Sequence, residues 1–219
     1  VASTHWIASA VGMGVLERGG NAFDAAVATG FTLQVVEPHL NGPGGEVPAI
    51  FQAAGEARAR VLCGQGTAPA GATIGAFRDL GLDVIPGSGL LPAVVPGAFD
   101  AWMLLLRDYG TLGLRGVLGD AIGYAEQGVP VLPKMAMLIE RVAPLFSAHW
   151  PSSAAVYLDR GAPPPAGSWL ANRALAATYA RILAEAEATT RDREGQIEAA
   201  RRIWAEGWVA EAVDRFYRR

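Results

Sequence analysis

The sequence predicts an α+β fold that is rich in helices and contains one clear β-hairpin. Apolar residues recur at helical spacing over most of the 219 residues, and a pair of strand-like runs with a short link occurs only near residue 50. A hydrophobic fraction of 51%, with 18% charged residues, is enough to build one well-packed core. We therefore expect a single domain over 1–219 in which helices predominate.

The first two predicted helices are separated by a pair of glycines. The first covers 5–19, where Gly19–Gly20 can adopt the left-handed backbone that ends a helix. Asn21 is a good N-cap for the second helix, 22–35, and Asp24 lies in its first turn, where the helix dipole favours a negative charge. Both helices are rich in small residues, so each can approach a sheet closely.

A hairpin follows the second helix. Pro38 ends that helix, and the glycines of 41–45 predict a tight turn. The runs 47–53 and 58–63 are typical of strands, and the link at 54–56 is short enough to join them as an antiparallel pair. Because an isolated hairpin is only marginally stable in water, we expect the sheet to be completed by other strands.

The rest of the chain is predicted to be helical, with loops imposed by proline and glycine. Thr73 is a candidate N-cap, the stretch 84–97 is expected to be extended, and Pro163–Pro165 excludes helix or central strand. Gly128 and Pro130 separate two neighbouring helices. Beyond the first two, the predicted helices are 73–80, 98–109, 114–127, 134–145, 172–187, 194–206 and 208–217.

Composition excludes several kinds of partner and site. The net charge of −3 gives no reason to expect nucleic acid or an anionic membrane surface as a partner, and no apolar run is long enough to cross a bilayer. Cys63 is the only cysteine, which excludes an intrachain disulfide and a cysteine-rich zinc site, and the three histidines lack metal-ligand spacing. The compartment is left open: cytoplasmic, or periplasmic or secreted after removal of a signal.

Ordered motifs along the chain carry a family resemblance. The opening run contains Ser3-Thr4-His5-Trp6-Ile7-Ala8-Ser9, Gly19-Gly20-Asn21-Ala22-Phe23-Asp24-Ala25-Ala26, Val36-Glu37-Pro38-His39 and Asn41-Gly42-Pro43-Gly44-Gly45. This run resembles the N-terminal signature of the gamma-glutamyltranspeptidase family. Further elements similar to that family follow in order at Thr67-Ala68-Pro69, Val94-Val95-Pro96-Gly97-Ala98, Tyr109-Gly110-Thr111-Leu112, 121–128, 172–178 and Phe216-Tyr217-Arg218.

The resemblance implies a larger fold than this chain can form alone. Members have the four-layer αββα sandwich of N-terminal-nucleophile (Ntn) hydrolases, and this chain would be a helix-rich, incomplete part of its large subunit. The missing C-terminal, small-subunit segment would be the partner that completes the sheet. The charged stretch 185–207 looks like a helical insertion, and we expect its arginines and acidic residues to form a solvated, ion-paired helix face.

The resemblance also implies an activity. The family consists of autoprocessed zymogens that hydrolyse or transfer acyl groups of small-molecule amides, including the gamma-glutamyl amides of glutathione metabolism. Its nucleophile is a threonine exposed by self-cleavage, whose own amine acts as the base. That threonine lies outside this chain, so no catalytic residue is expected here. No metal or organic cofactor is implied.

Gln65, flanked by Gly64 and Gly66, is the first candidate for substrate binding. Transpeptidases of the resembling family have an arginine at this place, whose planar fork pairs with the α-carboxylate of the substrate. Glutamine can donate and accept hydrogen bonds but carries no charge, so either the acyl specificity differs or Gln65 is an ordinary loop residue. Gly44 and Gly45 could offer backbone N–H groups to an oxyanion or another anion, or could simply form a turn.

Other polar residues have simpler explanations. His5 starts a helix and is expected to be structural, and His39, in a loop, is expected to be exposed. Cys63 is expected to be either a buried inert thiol or a residue that lines the pocket. Asp24 and Glu37 could form a carboxylate pair, although a capping role and a surface role are sufficient for them.

Three functions agree with these residues. The first is a gamma-glutamyltranspeptidase-like hydrolase or acyltransferase. The second is an acylase of different acyl specificity on the same scaffold, similar to the cephalosporin acylases, which the neutral Gln65 favours. The third is a non-catalytic homologue that kept the scaffold and acts as a binding module.

Overall fold

The structure, a computed structural model, describes residues 1–218 of the chain. Within these residues it contains ten α-helices and two small antiparallel sheets. The helices are α1 (Trp6–Glu17), α2 (Ala22–Val36), α3 (Ile74–Asp79), α4 (Ala98–Tyr109), α5 (Leu114–Gln127), α6 (Pro133–His149), α7 (Pro151–Tyr157), α8 (Arg173–Thr189), α9 (Arg193–Ala205) and α10 (Trp208–Tyr217). The strands are β1 (Val47–Phe51), β2 (Arg60–Gly64), β3 (Val129–Pro130) and β4 (Trp169–Leu170).

The structure confirms the helix-rich architecture and the hairpin, with β1 antiparallel to β2 from Val47 opposite Gly64 to Phe51 opposite Arg60. The layered sandwich is not formed within residues 1–218, since each sheet has only two strands. Helix α7 and the β3–β4 pair were not predicted. Those strands come from distant parts of the chain and are two residues long, so local pattern could not reveal them.

The junction between α1 and α2 shows the predicted cap. Gly19 has φ +91°, and the Asn21 side chain accepts the N–H groups of Phe23 and Asp24 at 2.9 and 3.0 Å. Asp24 returns a bond by accepting the Asn21 N–H at 2.8 Å, which completes a capping box. Local chemistry therefore determines where α1 ends and α2 begins.

Asp24 also joins this cap to the connection between α4 and α5. Its carboxylate accepts the Thr111 N–H at 2.9 Å, the Thr111 hydroxyl at 2.7 Å and the Leu112 N–H at 3.0 Å. Burial tends to raise the pKa of Asp24, but the hydrogen bonds from Asn21, Leu112 and Thr111 outweigh it, so the pKa lies below the ordinary carboxyl value. A single buried carboxylate thus links two parts of the fold.

The main core surrounds α2, which packs on α1, α4 and α5. Phe31, Phe99 and Tyr179 are fully buried there and contact one another mostly edge to face, and the Tyr179 hydroxyl donates a hydrogen bond to Gln34. Trp204 stacks on Phe99 with ring centroids 4.5 Å apart. This packing brings the last part of the chain onto α4.

The stretch 185–207 is integrated into this core. Ile197 of α9 is fully buried, and Arg193 donates to the main-chain carbonyls of Leu106 and Leu112. The expected solvated face is therefore wrong for Arg193 and for Arg201, which binds Asp100 of α4. Arg193 is a second donor to the Leu106 carbonyl, which also accepts the Gly110 N–H at 2.9 Å, and it bonds the Leu112 carbonyl in the connection between α4 and α5. That this stretch is an insertion stays a prediction.

One face of the hairpin is open. The side chains of Ile50 and Val61 are 78% and 64% exposed on neighbouring strands. Completion of this sheet by another segment stays a prediction. Among the described helices, none combines the length and the hydropathy needed to cross a membrane.

Candidate functional site

A groove of about 820 Å³ lies where the end of β2 meets α4 and the last two helices. The loop that follows β2 forms one wall, and the extended segment before α4 forms the next. Residues of α4, α9 and α10 close the opposite side. The residues that line it include Gly44, Leu62, Cys63, Gly64, Gln65, Gly66, Thr67, Val94, Val95, Gly97, Asp100, Leu104, Trp204, Val213, Asp214 and Tyr217.

Glycines allow the two walls to touch through their backbones. The Val95 N–H donates to the Thr67 carbonyl at 2.9 Å, so the two segments run side by side. A Cβ on Gly66 would lie 1.8 Å from the Val95 oxygen, and a Cβ on Gly97 would lie 2.6 Å from the Gly64 oxygen. Any side chain at these positions would push the walls apart, so glycine is required for the shape of the groove.

The structure brings the predicted binding residues to this groove. Gln65 is exposed on its wall, between its two glycines, and Gly44 also lines it. The N–H of Gly45 already donates to the Gly42 carbonyl at 3.0 Å, and the Gly45 carbonyl accepts the Ala98 N–H at 3.0 Å. Gly45 therefore forms the turn, while Gly44 faces the groove. Their roles toward a substrate stay predictions.

Several groove residues were not indicated by the sequence. Asp100 lies in the first turn of α4, and Trp204 and Tyr217 come from the last two helices. Arg201 holds Asp100 with two contacts, Nε to Oδ1 at 2.6 Å and Nη2 to Oδ2 at 3.2 Å, and the pKa of Arg201 is raised, chiefly by this hydrogen bonding. These residues come together only through the packing of α9 on α4, which leaves no local signal.

The structure corrects one of the two expectations stated for Cys63. The thiol is exposed and lines the groove, rather than being buried and inert. It belongs to β2, whose outer residues are uncovered because the sheet has only two strands.

A second group of polar residues lies where the N-terminus meets the end of α2. His5 is the N-cap of α1: its Nδ1 accepts the Ile7 N–H at 3.1 Å, as expected for a structural histidine. Thr4 donates its hydroxyl to the buried Glu37. His39 is half-buried, so its predicted exposure is wrong, because the loop packs back on the helices. Burial lowers the pKa of both histidines, against the opposing effect of Glu37.

The two acidic residues of α2 and its C-cap have separate environments. Asp24 lies in the first turn and Glu37 at the C-cap, at opposite ends of a helix of 15 residues. They do not form a pair: the capping role of Asp24 is confirmed, while Glu37 is buried rather than on the surface. Within residues 1–218 no group of three His, Cys, Asp or Glu side chains is placed to hold a metal ion.

Comparison with known proteins gives a consistent result. The family model for gamma-glutamyltranspeptidase matches residues 8–215. The glutathione hydrolase-like YwrD proenzyme of Bacillus subtilis is 36% identical over 177 residues, which are 80% of this chain and 33% of that protein. The acylase ACY 1 proenzyme of Pseudomonas sp. strain V22 is 39% identical over an alignment of 197 residues, which covers 84% of this chain and 34% of the acylase.

Solved structures match nearly the whole chain. A variant of LmbA2991 superposes with a TM-score of 0.95 at 57% identity, over 99% of this chain and 37% of its own. The gamma-glutamyltranspeptidase of Helicobacter pylori superposes with a TM-score of 0.84 at 29% identity, over 98% of this chain and 58% of its own. The chain thus spans about a third of the length of the curated relatives, and its fold matches part of a transpeptidase structure.

Proposed function

Because this chain belongs to the gamma-glutamyltranspeptidase family, we propose that it forms the large-subunit part of an amide hydrolase or acyltransferase. It spans 33% and 34% of two proenzyme relatives, so the remaining polypeptide would supply the small subunit and the nucleophile. As the family resemblance implies, that nucleophile would be a threonine.

The proposed reaction proceeds through an acyl-enzyme. The hydroxyl of the N-terminal threonine attacks the amide carbon of the substrate, and the terminal amine of that threonine takes the hydroxyl proton. The C–N bond then breaks, and the leaving amine receives the proton. Water or a second amine attacks the resulting ester, which releases the acyl group and restores the threonine. This chain would bind the acyl group and hold the nucleophile in place.

The observation that carries the proposal is the groove. It brings Gln65 and its flanking glycines together with Gly44, although the two segments lie on either side of the hairpin. The close backbone contacts at Gly66 and Gly97 give this groove a defined shape. A groove of about 820 Å³ is of the size that holds small molecules.

An acylase of different specificity is the second candidate. Gln65 offers a neutral amide in place of the arginine expected in transpeptidases, and neighbouring wall residues such as Leu62, Val94 and Leu104 are aliphatic. Loss of a charge-assisted bond to a substrate carboxylate would weaken gamma-glutamyl binding by about 1 kcal/mol or more. The 39% identity to an acylase proenzyme agrees with this reading.

The test uses the full-length protein, including the polypeptide beyond residue 219. We expect its intact mass to resolve into two chains after purification, the smaller beginning with threonine, and we expect hydrolysis of chromogenic acyl anilides. Replacement of that threonine with alanine should abolish both. A single chain of full mass that hydrolyses no anilide would instead support the non-catalytic binding module.

A further inference from the structure

The charged side chains of the groove define what it can accept. Among the described residues that line it, the charged ones are Asp100 and Asp214, and both are acidic. Gln65 contributes a neutral amide, and the rest of the lining is aliphatic, aromatic or small. A carboxylate that entered this groove would lose hydration without meeting a free cation on the described walls.

Two arginines pair with the acids of the groove. Arg201 pairs with both oxygens of Asp100, and its Nη1 lies 2.9 and 3.0 Å from the two oxygens of Glu198. This side chain is only 22% exposed, so a substrate could reach it only by displacing an internal acid. Arg218 lies with its Nε 2.7 Å from Asp214. Arg201 therefore neutralises a groove acid, whereas Arg218 is a surface residue with a 77% exposed side chain and does not line the groove.

Gln65 suits a neutral ligand. Its side-chain amide is exposed to the groove, and it can donate to a carbonyl or accept from an amide or hydroxyl group. Neither interaction requires a charge. The aliphatic residues Leu62, Val94 and Leu104 add surface against which a hydrocarbon chain can pack.

We infer that the groove selects acyl donors that carry no carboxylate, namely amides of uncharged, largely hydrocarbon acyl groups with at most a neutral polar end. This inference rests on the proposed acyl-transfer function, since it names the donor for that site. Gln65 is its specificity-determining residue. The selectivity arises because a neutral end group can bond Gln65, whereas a carboxylate meets no cation among the described residues that line the groove.

The experiment compares two donors of equal length with the full-length protein. Glutaramoyl p-nitroanilide ends in a carboxamide, and glutaryl p-nitroanilide ends in a carboxylate. We expect kcat/KM to be at least about tenfold higher for the glutaramoyl donor, the ratio that separates charge-matched from unmatched contacts. A preference for the glutaryl or a gamma-glutamyl donor would overturn the inference.

Two variants test whether Gln65 determines this selectivity. Gln65→Arg should raise kcat/KM for the glutaryl donor and lower it for the glutaramoyl donor, reversing the order. Gln52→Arg adds the same charge at an exposed position at the far end of the hairpin and should leave the ratio unchanged. An unchanged ratio in Gln65→Arg, or equal effects of both variants, would contradict the role of Gln65.

A binding measurement distinguishes failure of this inference from failure of the proposed function. If no anilide is hydrolysed, calorimetric titration with glutaramide and with its monoacid, glutaramate, still measures charge selection. In that case the absence of hydrolysis refutes the enzymatic proposal, whereas tighter binding of glutaramide than of glutaramate supports the selectivity. Tighter binding of glutaramate, or no binding of either, would refute the selectivity itself.

Discussion

Replacement of Asp24 with alanine would remove the acceptor that joins the start of α2 to the α4–α5 connection. The side chain is fully buried and accepts the backbone N–H groups of Asn21, Thr111 and Leu112. Without it, these three part-buried donors would lose their charged acceptor, at about 1–3 kcal/mol each. We expect the free energy of unfolding to fall by about 3–6 kcal/mol, a large part of the stability of an ordinary domain.

Urea unfolding followed by tryptophan fluorescence measures this loss. Because the pKa of Asp24 is lowered in the folded state, its stabilisation is present above the unfolded value of about 3.9 and is lost as pH falls through the folded value. The difference in the free energy of unfolding between wild type and Asp24→Ala should therefore shrink below about pH 4.

Asp79→Ala, at an exposed position on α3, is the control and should change the free energy of unfolding by less than about 0.5 kcal/mol. A loss under about 1 kcal/mol at pH 7 for Asp24→Ala would refute the reasoning.

Three further predictions concern the groove, the histidines and the contact between α4 and α9. Gly66→Ala should lower stability by about 2 kcal/mol and reduce activity, because its Cβ would lie 1.8 Å from a carbonyl oxygen, and thermal unfolding with an anilide assay would measure both. The free energy of unfolding should be constant above about pH 6.5 and should fall at lower pH. The pKa values of His5 and His39 are lower in the folded chain than in the unfolded chain, so the unfolded chain binds protons first as the pH falls. Urea midpoints measured from pH 5 to 8 test this. Arg193→Met should lower the free energy of unfolding by about 1–2 kcal/mol, because it removes the side-chain donor of the Leu112 carbonyl and one of the two donors of the Leu106 carbonyl, and denaturant unfolding checks it.

Matched controls separate these effects from general damage. Gly71→Ala meets no atom within 4 Å and should be nearly neutral, so equal losses at both glycines would contradict the close-contact argument. The double variant His5→Asn, His39→Gln should flatten the pH profile, and an unchanged profile would assign it to other groups. Arg202→Met alters an exposed arginine of the same helix, and a loss equal to that of Arg193→Met would count against the carbonyl contacts.

Most helix boundaries could be predicted because their causes are local. Gly19, Asn21 and Thr73 act on backbone groups within a few residues, and the structure shows each of them doing so. By contrast, α6 continues through Pro144 to His149, beyond the predicted end at 145, so the last turn of this helix was missed.

The candidate site was predictable only in part. Gln65 and its glycines were singled out because they stand in a motif. They line a wall of the groove, and their role toward a substrate stays a prediction. Asp100 and Trp204 were not found, since neither stands in a pattern that distinguishes it from a helix-start acid or a packed aromatic. Their meeting depends on the stacking of Trp204 on Phe99 and on the ion pair with Arg201.

The amino-acid sequence by itself determined where most helices start and stop, the presence of the hairpin and the family to which the chain belongs, because caps, turns and motifs act over short spans. Only the tertiary structure decided which residues share the groove and which charges in it are already paired. Those relations depend on how α9 and α10 pack against α4, and packing between distant segments leaves no periodic trace in either segment.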